Sequence, residues 1–143
     1  MSDSNQLAVK LLNLAKAQFA GYKAIHLHHL NIVGPDFLQL HEYFGELYTM
    51  LWEDLDKVAE RLRYLDYCIP ASIFSGEEPK ELYESDEMIR RCLNEFTSVD
   101  IQLNLVLEEA TKLNSQATIN MAAALQEKYD KEVWKLRSLL MKK

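Results

Sequence analysis

Turn-forming residues are scarce. The chain has 3 Pro and 4 Gly in 143 residues, too few to punctuate a run of short strands. No stretch approaches 18 uninterrupted apolar residues, so no membrane span is expected. Cation clusters are also missing. With 16 Lys and Arg against 22 Asp and Glu, the net charge is −6, and nucleic acid is not an expected partner, because holding phosphates takes grouped Lys and Arg. The 2 cysteines, Cys68 and Cys92, fall in different predicted elements without CxxC spacing. That argues against a structural disulfide or a zinc site and for two partly buried thiols in a reducing cytoplasm. The start, Met1-Ser2-Asp3-Ser4-Asn5, has neither a positive charge nor an apolar run, so a cytoplasmic location is expected.

Helix formers fill the space that those absences leave. Leu, Ala, Glu and Lys are plentiful and 48% of residues are apolar, enough for one substantial core. The expectation is an all-α single domain over residues 1–143. From Leu7 to Ile32, residues Leu7, Leu11, Leu14, Phe19, Tyr22 and Ile25 recur at helical spacing, and the Asn31 to Pro35 segment stops them. The spacing places His29 in phase with that stripe, His26 nearly under it and His28 toward solvent. A second helix is predicted from Phe37 to about Tyr64, capped by Asp36, with a stripe through Phe37, Leu40, Phe44, Leu47, Leu51, Leu55, Val58 and Leu62. The segment 67–84, with Pro70, Gly76 and Pro79, reads as a crossover holding a short helical piece at Ala71 to Phe74. A third helix is expected from Ser85 to about Leu113 and a fourth from Ala117 to Met141. Two helical hairpins joined by one long crossover make a ferritin-like four-helix bundle.

The chemistry concentrates in His26, His29, His41, Asp56 and Glu60. At 100° per residue, His41, Gly45, Trp52, Asp56 and Glu60 share a second face of the second helix, away from its apolar stripe. Imidazole and carboxylate together suit iron, because nitrogen donors hold iron(II) and carboxylates stabilise the harder iron(III). Bundles that build a di-iron centre inside one chain use Glu-x-x-His pairs, and none occurs in this sequence. Geometry adds a constraint. Fifteen residues at about 1.5 Å of rise separate His41 from Asp56 by roughly 22 Å, whereas two ligands of one ion lie within about 4 Å. Metal shared by both halves requires two subunits, and a two-fold axis crossing the second helix would set the histidines of each chain beside the acids of the other.

The run His29-Leu30-Asn31-Ile32-Val33-Gly34-Pro35-Asp36-Phe37, followed by Leu40-His41-Glu42 and by Asp56-Lys57-Val58-Ala59-Glu60-Arg61-Leu62, resembles the Dps family, the miniferritins. The family pattern is H-W-N-x-x-G-x-x-F, H-E-x-x-D and D-x-x-A-E-R at the same offsets. Asp130-Lys131-Glu132-Val133-Trp134-Lys135-Leu136-Arg137 is similar to its last-helix segment D-K-x-x-W-x-L-R. The resemblance implies a hollow dodecamer that oxidises iron(II), preferentially with hydrogen peroxide, at inter-subunit sites and stores the ferric product. Carried over by position, His29 and His41 of one subunit and Asp56 and Glu60 of its neighbour are the iron ligands. His26 is either a further ligand or a supporting residue.

Three departures stand out. Gly45 replaces the family aspartate four residues after His41, which either weakens the site into a metal-binding shell or serves close helix approach at the two-fold axis. Leu30 replaces the tryptophan beside the first histidine, an aromatic that can take up an oxidising equivalent; Trp52 either substitutes for it or packs the dimer interface. The amino terminus lacks the basic tail with which some relatives bind DNA. On the third helix, Asp100, Glu108 and Glu109 line an ion path or form a solvated face.

Overall fold

The computed structural model describes residues 3–75 and 83–141, with side chains from residue 5 onward. Four long helices account for nearly all of it: α1 (Asp3–Asn31), α2 (Phe37–Tyr64), α3 (Ser85–Lys112) and α4 (Gln116–Leu140). A single 3-10 turn, Ala71–Phe74, interrupts the crossover, and there is no strand among the described residues. This is the expected all-α bundle. Gly76 and Pro79 of the predicted crossover lie outside the described residues.

The connections follow from a few backbone positions. Gly34 takes φ 107, a left-handed conformation costly for any residue with a Cβ, and its carbonyl accepts the Phe37 amide at 3.1 Å, turning α1 into an antiparallel α2. Asn114, at φ 54, does the same between α3 and α4, where the Ser115 amide reaches back to the Ala110 carbonyl at 2.9 Å. Asn tolerates this region better than most residues because its short side chain bonds locally. Asp36 stands at the amino-terminal cap of α2 but makes no side-chain cap bond, contrary to expectation. Its backbone carbonyl instead opens the helix by accepting from Leu40 at 3.0 Å.

The stripe read along α2 is its buried face, since Leu40, Phe44, Leu47, Leu51, Leu55, Val58 and Leu62 are all buried. Phe37, the first residue of the expected stripe, is the exception: at the open end of the helix it is exposed, with its ring against His41 rather than in the core. Facing residues from the other helices, among them Leu11, Leu14, Phe96, Leu103 and Tyr129, close one continuous core. Each fully buried Leu or Phe contributes about 2 kcal/mol from lost apolar surface.

A Lys10–Glu109 ion pair at 3.3 Å runs α3 antiparallel to α1, and Tyr43–Glu132 and Asp54–Tyr129 hydrogen bonds tie α2 to α4. The crossover turns on Asp66, at φ 61, and then lays Ile73 and Phe74 along α1, with Phe74 meeting the Phe19 ring edge-on at 5.5 Å. Cys92 is fully buried, and burial pushes its thiol pKa up. Cys68 is exposed, so only one of the two expected half-buried thiols is sheltered.

Candidate metal centre

His29, near the end of α1, and His41, in the second turn of α2, meet across the Gly34 turn. Their rings stack with centroids 3.8 Å apart and planes 17° from parallel. Each Nδ1 lies against the other residue's backbone carbonyl: His29 Nδ1 to the His41 oxygen at 2.6 Å and His41 Nδ1 to the His29 oxygen at 2.7 Å. A carbonyl only accepts, so both Nδ1 atoms carry the proton. In the neutral rings both Nε2 atoms then keep a free lone pair. Metal-binding histidines are typically oriented in this way, by a bond on the far ring nitrogen. Phe37 stacks on the outer face of His41 at 5.0 Å.

Gly45 explains how His29 fits. A Cβ at this position would lie 3.2 Å from His29 Cε1 and 3.3 Å from its Nδ1, tighter than ordinary carbon contacts. The missing side chain therefore makes room for an imidazole of its own chain. The close approach is between α1 and α2 and needs no second subunit.

His26 sits one turn before His29, its ring stacked on Tyr48 at 4.0 Å and its Nδ1 at 3.1 Å from the Tyr22 hydroxyl. Partial burial and the neighbouring His29 lower its pKa. Tyr48 meets His29 edge-on at 5.2 Å, and Tyr22 touches Trp52 at 5.0 Å. Trp52 is 48% exposed.

Asp56 and Glu60 are exposed on the outer face of α2 and take no hydrogen bond or ion pair among the described residues. Nor do any three His, Cys, Asp or Glu side chains among them converge on a point that would hold a metal ion. The structure brings the two histidines together and leaves the two acids well away along the helix.

Several polar residues behave differently from expectation. His28 is buried, 6% exposed, between Phe44 and the edge of Tyr83. Burial, with Arg91 nearby, lowers its pKa to about 4. Helical spacing pointed it to solvent, yet Tyr83, just before α3, and Arg91, on α3, cover it, and the Arg91 guanidinium rests 3.7 Å above the Tyr83 ring. Glu109 is buried against Lys10, while Asp100 binds Gln126 and Glu108 stays exposed with Lys112 nearby, so the three acids form no common surface.

Sequence reasoning missed Asp54 entirely. It is 1% exposed and accepts from Lys128 at 2.7 Å and from the Tyr129 hydroxyl at 2.8 Å. Tyr129 in turn accepts from Gln18 at 3.0 Å. Asp54 lies seven residues after the stripe residue Leu47, a phase that carried the signal.

Residues 9–143 match the family described as Ferritin-like domain, the class that a four-helix bundle of this connectivity defines. A "DNA protection during starvation protein" of Brevibacillus brevis is 30% identical over 142 residues, covering 94% of this chain and 95% of that protein. The crystal structure of a Dps protein from Bacillus brevis superposes with a TM-score of 0.91 at 28% identity, covering 99% of both chains. A Dps protein from Vibrio cholerae, described as a member of a broad superfamily of ferritin-like diiron-carboxylate proteins, superposes at 0.90 with 26% identity, covering 97% of this chain and 91% of that one. The chain belongs to the Dps family.

Proposed function

We propose that this protein is an iron-storing ferroxidase whose sites form between subunits of a dodecameric shell. The observation that carries the reading is the reciprocal His29–His41 clasp, which fixes two imidazoles with bare Nε2 atoms in a chain whose Asp56 and Glu60 are unpaired on the same helix as His41. Nitrogen donors of one chain and oxygen donors of another complete each other's coordination sphere. Iron is substrate here. Two iron(II) ions each yield one electron, peroxide accepts both with two protons and leaves as two waters, and the carboxylates hold the resulting iron(III). The shell then keeps ferric product away from further peroxide. The net charge of −6 disfavours phosphate-rich partners, so on this reading protection of nucleic acid comes from removing iron(II) and peroxide.

Subunit mixing tests the two-chain site. A His29→Ala/His41→Ala protein and an Asp56→Asn/Glu60→Gln protein should each fail to oxidise iron(II) with peroxide. Co-assembled in equal amounts, they restore about a quarter of the sites, because a random interface pairs intact histidines with intact acids one time in four. Mixed shells as inactive as their parents would end the proposal.

Gly45 supports a second reading, a shell that binds metal without oxidising it. The space where the family places a carboxylate is taken by the His29 ring, leaving two acids per site.

A further inference from the structure

We propose that Tyr22 and His26 form a proton-coupled redox pair that delivers an electron through Tyr48 to the His29 site. The pair rests on geometry alone, and its use as second electron donor to peroxide rests on the ferroxidase reading above. Four aromatic rings connect without a gap. Tyr48 meets the His29 ring at 5.2 Å, stacks on His26 at 4.0 Å with planes 10° apart, and meets Tyr22 edge-on at 5.8 Å. These contacts run through packed side chains held by α1 and α2, two rigid helices.

Tyr22 differs from Tyr48 in one respect that decides its role. Its hydroxyl lies 3.1 Å from His26 Nδ1, and in the neutral tautomer that carries its proton on Nε2 this ring nitrogen accepts from the Tyr22 O–H. Removing an electron from a phenol makes its proton strongly acidic. A base already hydrogen-bonded takes that proton as the electron leaves, and the charged radical is never formed. The Tyr48 hydroxyl has no hydrogen-bond partner among the described residues, so Tyr48 conducts while Tyr22 stores the oxidising equivalent. Trp52, in contact with Tyr22 at 5.0 Å but half exposed, is the outer end of the same chain.

The pair suits a site that lacks a carboxylate at position 45. When only one iron(II) is held, it supplies one electron and Tyr22 supplies the other. The phenol proton passes to His26 Nδ1, and peroxide takes two protons from solvent to leave as two waters. The products are iron(III), a neutral Tyr22 phenoxyl radical and a protonated His26. In the first turnover, one peroxide is consumed per iron oxidised rather than one per two.

The test has two arms. In iron-free protein, a flash-generated ruthenium(III) polypyridyl complex serves as a one-electron oxidant, and electron paramagnetic resonance follows the radical. The wild type should give a neutral tyrosyl signal. Tyr22→Phe should abolish it or convert it to a tryptophan signal, and His26→Phe, which keeps the stack on Tyr48, should slow its formation by about a hundredfold, the scale of a positioned proton acceptor. A tyrosyl signal of unchanged yield and rate in both variants would overturn the pair, whatever the iron chemistry does. In the second arm, freeze-quenched samples of iron(II)-loaded protein mixed with peroxide should show the same signal and a first-turnover ratio that returns toward one peroxide per two irons in Tyr22→Phe. A flash signal on Tyr22 alongside no peroxide consumption would leave the pair standing and reject the ferroxidase reading.

Discussion

Substituting alanine for Gly45 sets terms of similar size against each other. In a helix interior, Gly to Ala is worth about 1 kcal/mol of stability. Against this, the new Cβ would stand 3.2 Å from a ring that is poorly able to retreat, because His29 is bonded to the His41 carbonyl at 2.6 Å, stacked on the His41 ring at 3.8 Å and flanked by Tyr48. Displacing the ring by a few tenths of an ångström weakens a hydrogen bond worth about 1 kcal/mol and a stack worth about 0.5–1.5 kcal/mol. The net expectation is a variant between unchanged and about 1 kcal/mol less stable, with weaker metal binding because Nε2 has moved. Denaturant midpoints at matched protein concentration and calorimetric titration with cobalt(II) read the two effects. Full stabilisation by about 1 kcal/mol with unaltered metal affinity would refute the crowding argument. Gly45→Ala is also the proper reference for Gly45→Asp, since both carry the Cβ. A large gain in iron oxidation for Asp over Ala reports the added carboxylate itself and favours the impaired-site reading, while equal rates mean that two acids suffice.

Asp54→Ala removes the anion from a buried pair and strands the Tyr129 hydroxyl, so a loss of about 3 kcal/mol is expected, the low end for such pairs because Lys128 reaches solvent; a midpoint shift within error would show the network to be idle. His28 links stability to pH: its folded-state pKa, about 4, lies below the ordinary 6.5, so its contribution is complete above 6.5 and is lost as pH falls toward 4, by about 3 kcal/mol at most. His28→Leu should flatten that part of the acid unfolding profile, and coincident profiles would contradict the assignment. Gly34→Ala forces a Cβ into φ 107 and should destabilise the α1–α2 turn by about 1 kcal/mol or more, measured by thermal melting; no loss would mean that the turn relaxes into another conformation.

The helix register was open to reading because local rules and the global fold agree. An apolar stripe on α2, a Gly-Pro turn and an Asn-Ser turn mark elements that the structure places within two residues of expectation, apart from the start of α1. His29 and His41 were likewise legible, since two short-range facts, helix phase and the turn between them, bring them together. What escaped depended on partners far along the chain. His28 becomes interior only because Tyr83 and Arg91 return over it, and Asp54 is tolerable inside only because α4 supplies Lys128 and Tyr129. The neighbour of Gly45 was beyond a one-helix pattern for the same reason: helical phase says which way a position points, not which ring from α1 fills the space.

The interior knot of Gln18, Tyr129, Asp54 and Lys128 fills the middle of the bundle, where an internal metal centre would otherwise have room, with a carboxylate already neutralised by ammonium. On the two-chain reading, an isolated subunit is therefore a dormant reagent: newly synthesised copies meet peroxide and iron without reacting, and encounter with a second copy is what arms them. Reactivity then follows the square of dilute subunit concentration, so the hazardous chemistry begins only where a container for its product is already being built.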